Sequence, residues 1–171
     1  MRRLLALCLA ACGGHAWPVP AGYKHETIPF PLDFAPTLAH RGHEELRFPP
    51  GFLDEHSPSH WSYAFVWRLD DPAQLDDAAL AAELTTYFRG LLVAVDGDKH
   101  RVDPAAITVR VETGAVHAHI IDAFGSAAPV DLEGTARRTS CGSGALWTFV
   151  LAPAGSPVRP QLDALAAATG C

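Results

Sequence analysis

Two histidines separated by one residue, in His117-Ala118-His119, are the strongest candidates for chemistry in this sequence. Alternate residues of a β-strand point to the same face of a sheet, so a strand here would hold both imidazoles side by side. Imidazole nitrogens are common ligands of zinc, and catalytic zinc sites use three protein ligands. The pair therefore predicts a metal site if a third ligand approaches it.

Two further histidine-rich segments are candidates for that third ligand. One contains His40 and His43 with neighbouring glutamates, and the other contains His56 and His60 with neighbouring acidic residues. A divalent transition metal such as zinc is the cofactor that this combination would bind. No ligand spacing of a known zinc class occurs, however, so the pattern alone is weak.

A second interpretation treats His117 and His119 as surface residues. A tight turn at Thr113-Gly114 would place Arg110 opposite His117, and would put both histidines on the polar face of a hairpin. A solvated sheet face has this composition, and a cation opposite a metal ligand is unfavourable. This interpretation needs no cofactor, and we prefer it.

Catalytic motifs of other kinds are weak. The segment 139–144, Thr-Ser-Cys-Gly-Ser-Gly, lacks the Gly-x-Ser-x-Gly pattern of a nucleophile between a strand and a helix. Glu44-Glu45 and Asp70-Asp71 are adjacent acids, which point apart on a strand and form no catalytic pair by themselves. Whether the chain is an enzyme stays open, and a binding or scaffolding protein is favoured.

A row of aromatic residues at strand spacing, Trp61, Tyr63, Phe65 and Trp67, permits two interpretations. Such a row is usually buried in the core, because aromatic side chains bury the largest area per residue. If a helix covered the opposite face of the strand instead, the row would be an open platform for stacking a ligand. We expect the core position.

The elements that would position these residues follow from periodicity. Alternation predicts strands at residues 23–30, 61–69, 108–112, 116–120, 130–137 and 145–151, with a further short strand possible at 45–48 in an otherwise irregular stretch. Helical spacing predicts helices at 77–94, capped by Asp76, and at about 161–169. The order favours an α+β fold: an antiparallel sheet of five to six strands, with one long and one short C-terminal helix packed on one face.

The first fourteen residues predict the cellular compartment of the protein. Arg2 and Arg3 precede an apolar run over residues 4–11, followed by Cys12-Gly13-Gly14. The run is too short to span a bilayer, which takes about 20 residues. Its Leu-Ala-Ala-Cys ending resembles a bacterial lipobox. The resemblance implies a signal peptide at 1–11, lipidation of Cys12, a tether at 12–22 and a single domain at 23–171. The alternative is secretion with cleavage after Ala16.

The lipobox resemblance also implies a role for each of the four cysteines and a cellular location. Cys8 would leave with the signal and Cys12 would carry the lipid, so Cys141 and Cys171 remain as an expected disulfide of an exported domain. A metal-binding or redox pair is the alternative. Gly13 after the lipidated cysteine, rather than Asp, implies outer-membrane anchoring facing the periplasm if the host has two membranes.

Charge limits the partners. The chain has 13 basic and 19 acidic residues. Loss of Arg2 and Arg3 leaves 11 basic residues and a net charge of about −8, which argues against nucleic acid. We therefore expect a lipid-anchored envelope protein that contacts the membrane only through its anchor and acts by binding or scaffolding. A metal-dependent periplasmic enzyme or metal-binding protein is the alternative.

Overall fold

A computed structural model describes residues 16–97 and 102–171, which form an α+β domain built on one antiparallel sheet. Its seven strands are β1 (Lys24–Pro29), β2 (Gly42–Phe48), β3 (Tyr63–Leu69), β4 (Thr108–Glu112), β5 (Ala115–Ile121), β6 (Pro129–Cys141) and β7 (Gly144–Ala152). Helices α1 (Asp77–Asp96) and α2 (Arg159–Ala167) pack on the sheet. The α+β class is confirmed.

The strands lie in the order β1-β2-β3-β7-β6-β5-β4. Strand β7 is therefore central, as its apolar sequence on both faces predicts, and β1 is an edge strand. Helix α1 connects β3 to the far edge strand β4. From that edge, β4 to β7 return as a meander to pair β7 with β3.

The sheet has seven strands rather than the five to six predicted, because β2, expected only as a possible short strand at 45–48, is a full strand. The sequence of β2 is polar and begins with Gly42, so strand propensity there is low. Tertiary pairing overrides this propensity, because β2 hydrogen-bonds to β1 on one side and β3 on the other. Its backbone groups are thereby satisfied on both edges.

Helix α1 covers one face of the sheet, which we name the aromatic face because it carries Phe65, Trp67 and Phe149. The Asp76 side chain caps the helix by accepting a 2.8 Å hydrogen bond from the Ala79 amide, as predicted. By length and composition α1 could cross a membrane, which is weak support for a span. In the fold, its buried apolar residues belong to the core cluster of the aromatic face.

Helix α2 packs on the opposite face, so the expectation that both helices share one face is wrong. Its Leu162 and Leu165 contact a second apolar cluster that contains Val66 and Val150. Strands β3 and β7 are apolar on both faces, and each face therefore needs its own cover. The Cys141–Cys171 disulfide, with Cα atoms 5.4 Å apart, joins the end of β6 to the chain end beyond α2.

The chain packs onto the domain earlier than residue 23, where the sequence places its start. Trp17 is only 3% exposed, and its indole N–H donates to the Leu165 carbonyl over 2.9 Å. The Arg47 guanidinium lies 4.2 Å from the centre of the Trp17 ring and donates to the carbonyl oxygens of Trp17 and Pro18. Cys12, the expected lipidation site, lies outside the described residues.

Candidate functional site

An apolar cavity of about 630 Å³ lies between the β1–β2–β3 end of the aromatic face, α1 and the loop after β2. Seven aromatic side chains line it: Phe34, Phe48, Phe52, Trp61, Tyr63, Tyr87 and Phe124. Leu46 and Leu91 add aliphatic surface, and Lys24, Glu26 and Asp54 add polar groups. Its volume and lining are typical of a small-molecule site, which occupies about 300–1,000 Å³.

The loop after β2 closes one side of the cavity because its sequence requires a sharp turn. Pro49 accepts a hydrogen bond from the Phe52 amide, and Gly51 has a φ of +85°. A Cβ atom at Gly51 would collide with the Ser57 side chain, so the turn needs glycine. The turn brings the Phe52 ring to within 4.6 Å of the Phe48 ring, centre to centre.

Trp61 forms the next part of the wall, in a backbone conformation that bulky residues rarely adopt. Its φ is +51°, and such a conformation costs about 1–3 kcal/mol unless the surroundings hold it. Its amide donates to the Phe52 carbonyl over 3.1 Å, and its ring contacts Phe52 and Phe124. Strand β3 was predicted to include Trp61, but it begins at Tyr63, because Trp61 turns out of the strand geometry.

Asp122 fixes the Trp61 side chain through a hydrogen bond. One carboxylate oxygen accepts the Trp61 indole N–H over 3.1 Å, and the carboxylate also accepts backbone N–H groups of the following loop, including those of Gly125 and Ser126. Burial alone would raise the pKa of Asp122, but the hydrogen bonds from Ser126 and Trp61 outweigh it and lower the pKa. His60 Nε2 lies 3.9 Å from Oδ2. Asp122 therefore stays ionised and fixes the Trp61 ring on the cavity wall.

Glu44 is fully buried beside this cavity. It lies opposite Ile28 on β1 and Trp67 on β3, and two residues from Leu46 on the same face of β2. Ile28 and Leu46 line the cavity and Glu44 does not, so Glu44 lies next to the cavity wall. The Trp67 indole N–H donates to Oε1 over 3.1 Å, whereas Oε2 has no hydrogen-bond partner among the described residues.

Burial controls the charge of Glu44. It raises the pKa of the carboxyl to about 8, and the Glu26 charge acts in the same direction. The Trp67 indole and the Tyr87 hydroxyl oppose the shift, although Tyr87 makes no hydrogen bond of standard geometry to the carboxyl. Glu44 is therefore mostly a neutral acid at pH 7.

Glu45, the adjacent residue, points to the opposite face of the sheet, as strand geometry predicts for neighbours. Its carboxylate accepts from Arg68 Nε over 2.6 Å and from Arg47 Nη2 over 3.0 Å. Burial would raise the pKa of Glu45, but these two arginines lower it. At neutral pH, Glu44 is therefore mostly neutral and Glu45 is negatively charged.

His40, one of the candidate metal ligands, lies in a different part of the structure from His117. Its Nε2 is 2.8 Å from Glu83 Oε2 on α1, and its ring meets the Phe30 ring edge-on. The hydrogen bond to Glu83 raises the pKa of His40, burial lowers it, and the charges of Glu83 and Asp71 raise it further. His40 thus ties the segment before β2 to α1.

The hairpin register of His117 and His119 is as predicted. Arg110 pairs with His117 and Thr108 with His119, on a solvated face where His119 Nδ1 lies 2.7 Å from Asp131. Of the candidate third ligands, His43 pairs with Glu45, His56 is exposed beside Glu55, and His60 lies near Asp122. No group of three His, Cys, Asp or Glu that could hold a metal forms within residues 16–97 and 102–171.

The aromatic row is buried in the core, as expected, and is not an open platform. All four rings are buried, and Phe65 stacks on Phe149 with ring centres 4.4 Å apart. Trp61 and Tyr63, at one end of the row, also line the cavity. Sequence reasoning missed Glu44, although its alternation with Leu46 and Phe48 marks a carboxyl on an apolar face.

In the described residues, the His40 and His119 rings hydrogen-bond to the carboxylates of Glu83 and Asp131. In the described part of the chain, no hydroxyl or thiol hydrogen-bonds to a histidine ring, which a histidine-activated nucleophile would require. Glu44 lies next to the cavity and does not line it. No protein-family model, no curated protein and no solved structure matches this chain.

Proposed function

We propose that this chain is a lipid-anchored protein of a bacterial envelope that binds an apolar small molecule in the cavity beside α1. The cavity is the observation that carries the proposal. Its volume of about 630 Å³ lies within the range of ligand sites, and most of its lining is aromatic or aliphatic. The N-terminal resemblance to a lipobox supports the anchoring and the location.

The walls are built in a way that favours binding. Phe52, Trp61 and Phe124 are held by mutual ring contacts, and Asp122 fixes the Trp61 indole. A wall that is already rigid loses little side-chain entropy when a ligand enters, so more of the gain from apolar burial appears as affinity. Backbone strain at a residue of the wall, as at Trp61, is also common at binding sites.

An apolar fluorescent probe tests the proposal. N-phenyl-1-naphthylamine should bind the protein with a strong fluorescence increase, because its rings leave water for the aromatic cavity. Leu91→Trp fills the cavity from α1 and should abolish the increase. Val93→Trp is the matched control, since Val93 lies on the same helix, is 56% exposed and does not line the cavity. A probe signal equal in both variants would contradict the proposal.

The anchor has its own test. Cys12→Ser should abolish metabolic labelling with a fatty acid, since acylation needs the thiol. The variant should also leave the membrane fraction. Unchanged membrane association of Cys12→Ser would overturn the lipidated form and leave the cavity proposal intact.

A further inference from the structure

The mouth of the cavity carries exposed apolar side chains. Leu53 is 55% exposed and Phe124 is 46% exposed, and both line the cavity. Exposed apolar groups at a ligand entrance are unfavourable in water, and they are favourable where the entrance meets an apolar phase. The mouth is therefore suited to a second contact with a membrane, beyond the lipid anchor that the sequence predicts.

The N-terminal segment connects the expected lipid anchor to the cavity. Trp17 is fixed to the domain by Arg47 and Leu165, and the chain then runs to Gly22, which itself lines the cavity. Gly22 lies ten residue steps after Cys12, and a fully extended chain of that length spans at most about 35 Å. A lipid on Cys12 would thus hold the cavity close to the bilayer surface.

The polar groups that line the cavity favour one class of lipid headgroup. Lys24 and Glu26 alternate on the same face of β1, and Asp54 lies in the loop across from them. Neither Lys24 nor Glu26 forms an ion pair with another residue of the described chain. One cation beside two carboxylates complements a headgroup that carries both a phosphate and an ammonium group.

The remaining lining complements a single hydrocarbon chain. Lys24, Glu26 and Ile28 follow the cavity along β1 over four residue steps, or about 13 Å at the rise of a strand. Beyond the charged end, Ile28, Phe34 and Leu46 continue the lining as apolar surface. A molecule with one chain and one polar end matches this order of groups.

We propose that the cavity takes a single-chain zwitterionic amphiphile from the membrane, with its chain along β1 and its phosphate and ammonium groups at Lys24, Glu26 and Asp54. This inference rests on the proposed function and names its ligand class. The chain would pass from the bilayer to the cavity beside Leu53 and Phe124, with little exposure of hydrocarbon to water.

Displacement of the naphthylamine probe by lysophosphatidylethanolamine tests the ligand class. It should displace the probe at about a fivefold lower concentration than lysophosphatidylglycerol or a long-chain alcohol of equal chain length, as expected for exposed charge pairs. Glu26→Gln should reduce the ratio to lysophosphatidylglycerol towards one, because Glu26 faces the ammonium group that only lysophosphatidylethanolamine carries. His25→Gln should leave the ratio unchanged, because His25 points to the opposite face of β1.

The outcomes separate the two proposals. If the probe binds but the amphiphiles do not displace it, or displace it with equal potency, the ligand class is wrong and the apolar site stands. If the probe does not bind, the proposed function itself fails. Uptake from vesicles tests the membrane source. Protein anchored through Cys12 should take up a lysophosphatidylethanolamine with a brominated chain faster than the Cys12→Ser variant does. Equal rates of uptake would contradict the membrane source.

Discussion

The indole N–H of Trp67 donates a 3.1 Å hydrogen bond to Glu44 Oε1 in a part of the core where both side chains are fully buried. This bond satisfies only one of the two carboxyl oxygens. An ionised carboxylate would be costly there, because one hydrogen bond does not replace the water that burial removes. The pair therefore makes the stability of the fold sensitive to pH.

Glu44→Gln should remove a large part of this pH dependence. The folded-state pKa of about 8 lies above the ordinary value of 4.5, so the stability from the neutral acid is complete below pH 4.5 and is lost as pH rises through 8. By pH 7 the loss is about 3 kcal/mol. Denaturant unfolding at pH 5 and pH 7 should show most of this loss in the wild type and a smaller one in the variant. Parallel losses in both proteins would contradict the assignment.

Glu45→Gln should destabilise the fold at neutral pH. It removes the carboxylate that binds Arg47 and Arg68, and Arg47 is almost fully buried. We expect a loss of about 1–3 kcal/mol at pH 7, limited by the hydrogen bonds that Arg47 keeps to backbone carbonyls. Because the pKa of Glu45 is lowered, the wild-type advantage should disappear as pH falls below 4.5. Urea denaturation at pH 7 and pH 3 measures both effects.

The disulfide should stabilise the fold measurably. It closes a loop of 30 residues between Cys141 and Cys171, and the chain-entropy model gives about 3–4 kcal/mol for this length. The double variant Cys141→Ser, Cys171→Ser should therefore have a lower melting temperature. Reducing agent should lower the wild type to the same value and leave the variant unaffected. Mass mapping without reduction that finds both cysteines free would exclude the bond.

Core and surface positions should differ sharply on truncation. Phe65→Ala removes a ring stacked on Phe149 and should cost about 3–5 kcal/mol, as should Trp61→Ala and Trp67→Ala. His117→Ala with His119→Ala should change the free energy of unfolding by less than about 0.5 kcal/mol, since both face solvent.

The same histidine variant tests the metal alternative. A metal bound to the folded state adds stability that a chelator removes. Melting curves of wild type and the double histidine variant, with and without chelator, should coincide if His117 and His119 are surface residues. A chelator-sensitive melting temperature that the variant loses would establish the metal site.

Local sequence signals determined most of the architecture. Alternation predicted the aromatic strand and the 108–120 hairpin with its register, because side-chain period and turn geometry are local properties. Asp76 predicted the start of α1 for the same reason, since an N-cap satisfies only the amides next to it. The α+β class followed from the order of these elements.

Tertiary structure alone decided the full length of β2, the face that α2 covers, the docking of Trp17 and the charge state of Glu44. Strand β2 has weak propensity and exists because two neighbours pair with it. Trp17 and Arg47 are 30 residues apart, and no periodicity links them. The pKa of Glu44 depends on burial of its carboxyl in the core. The cavity forms only where strands β1 to β3, the loop after β2 and helix α1 come together. Each of these features arises from long-range contacts, which a local pattern does not encode.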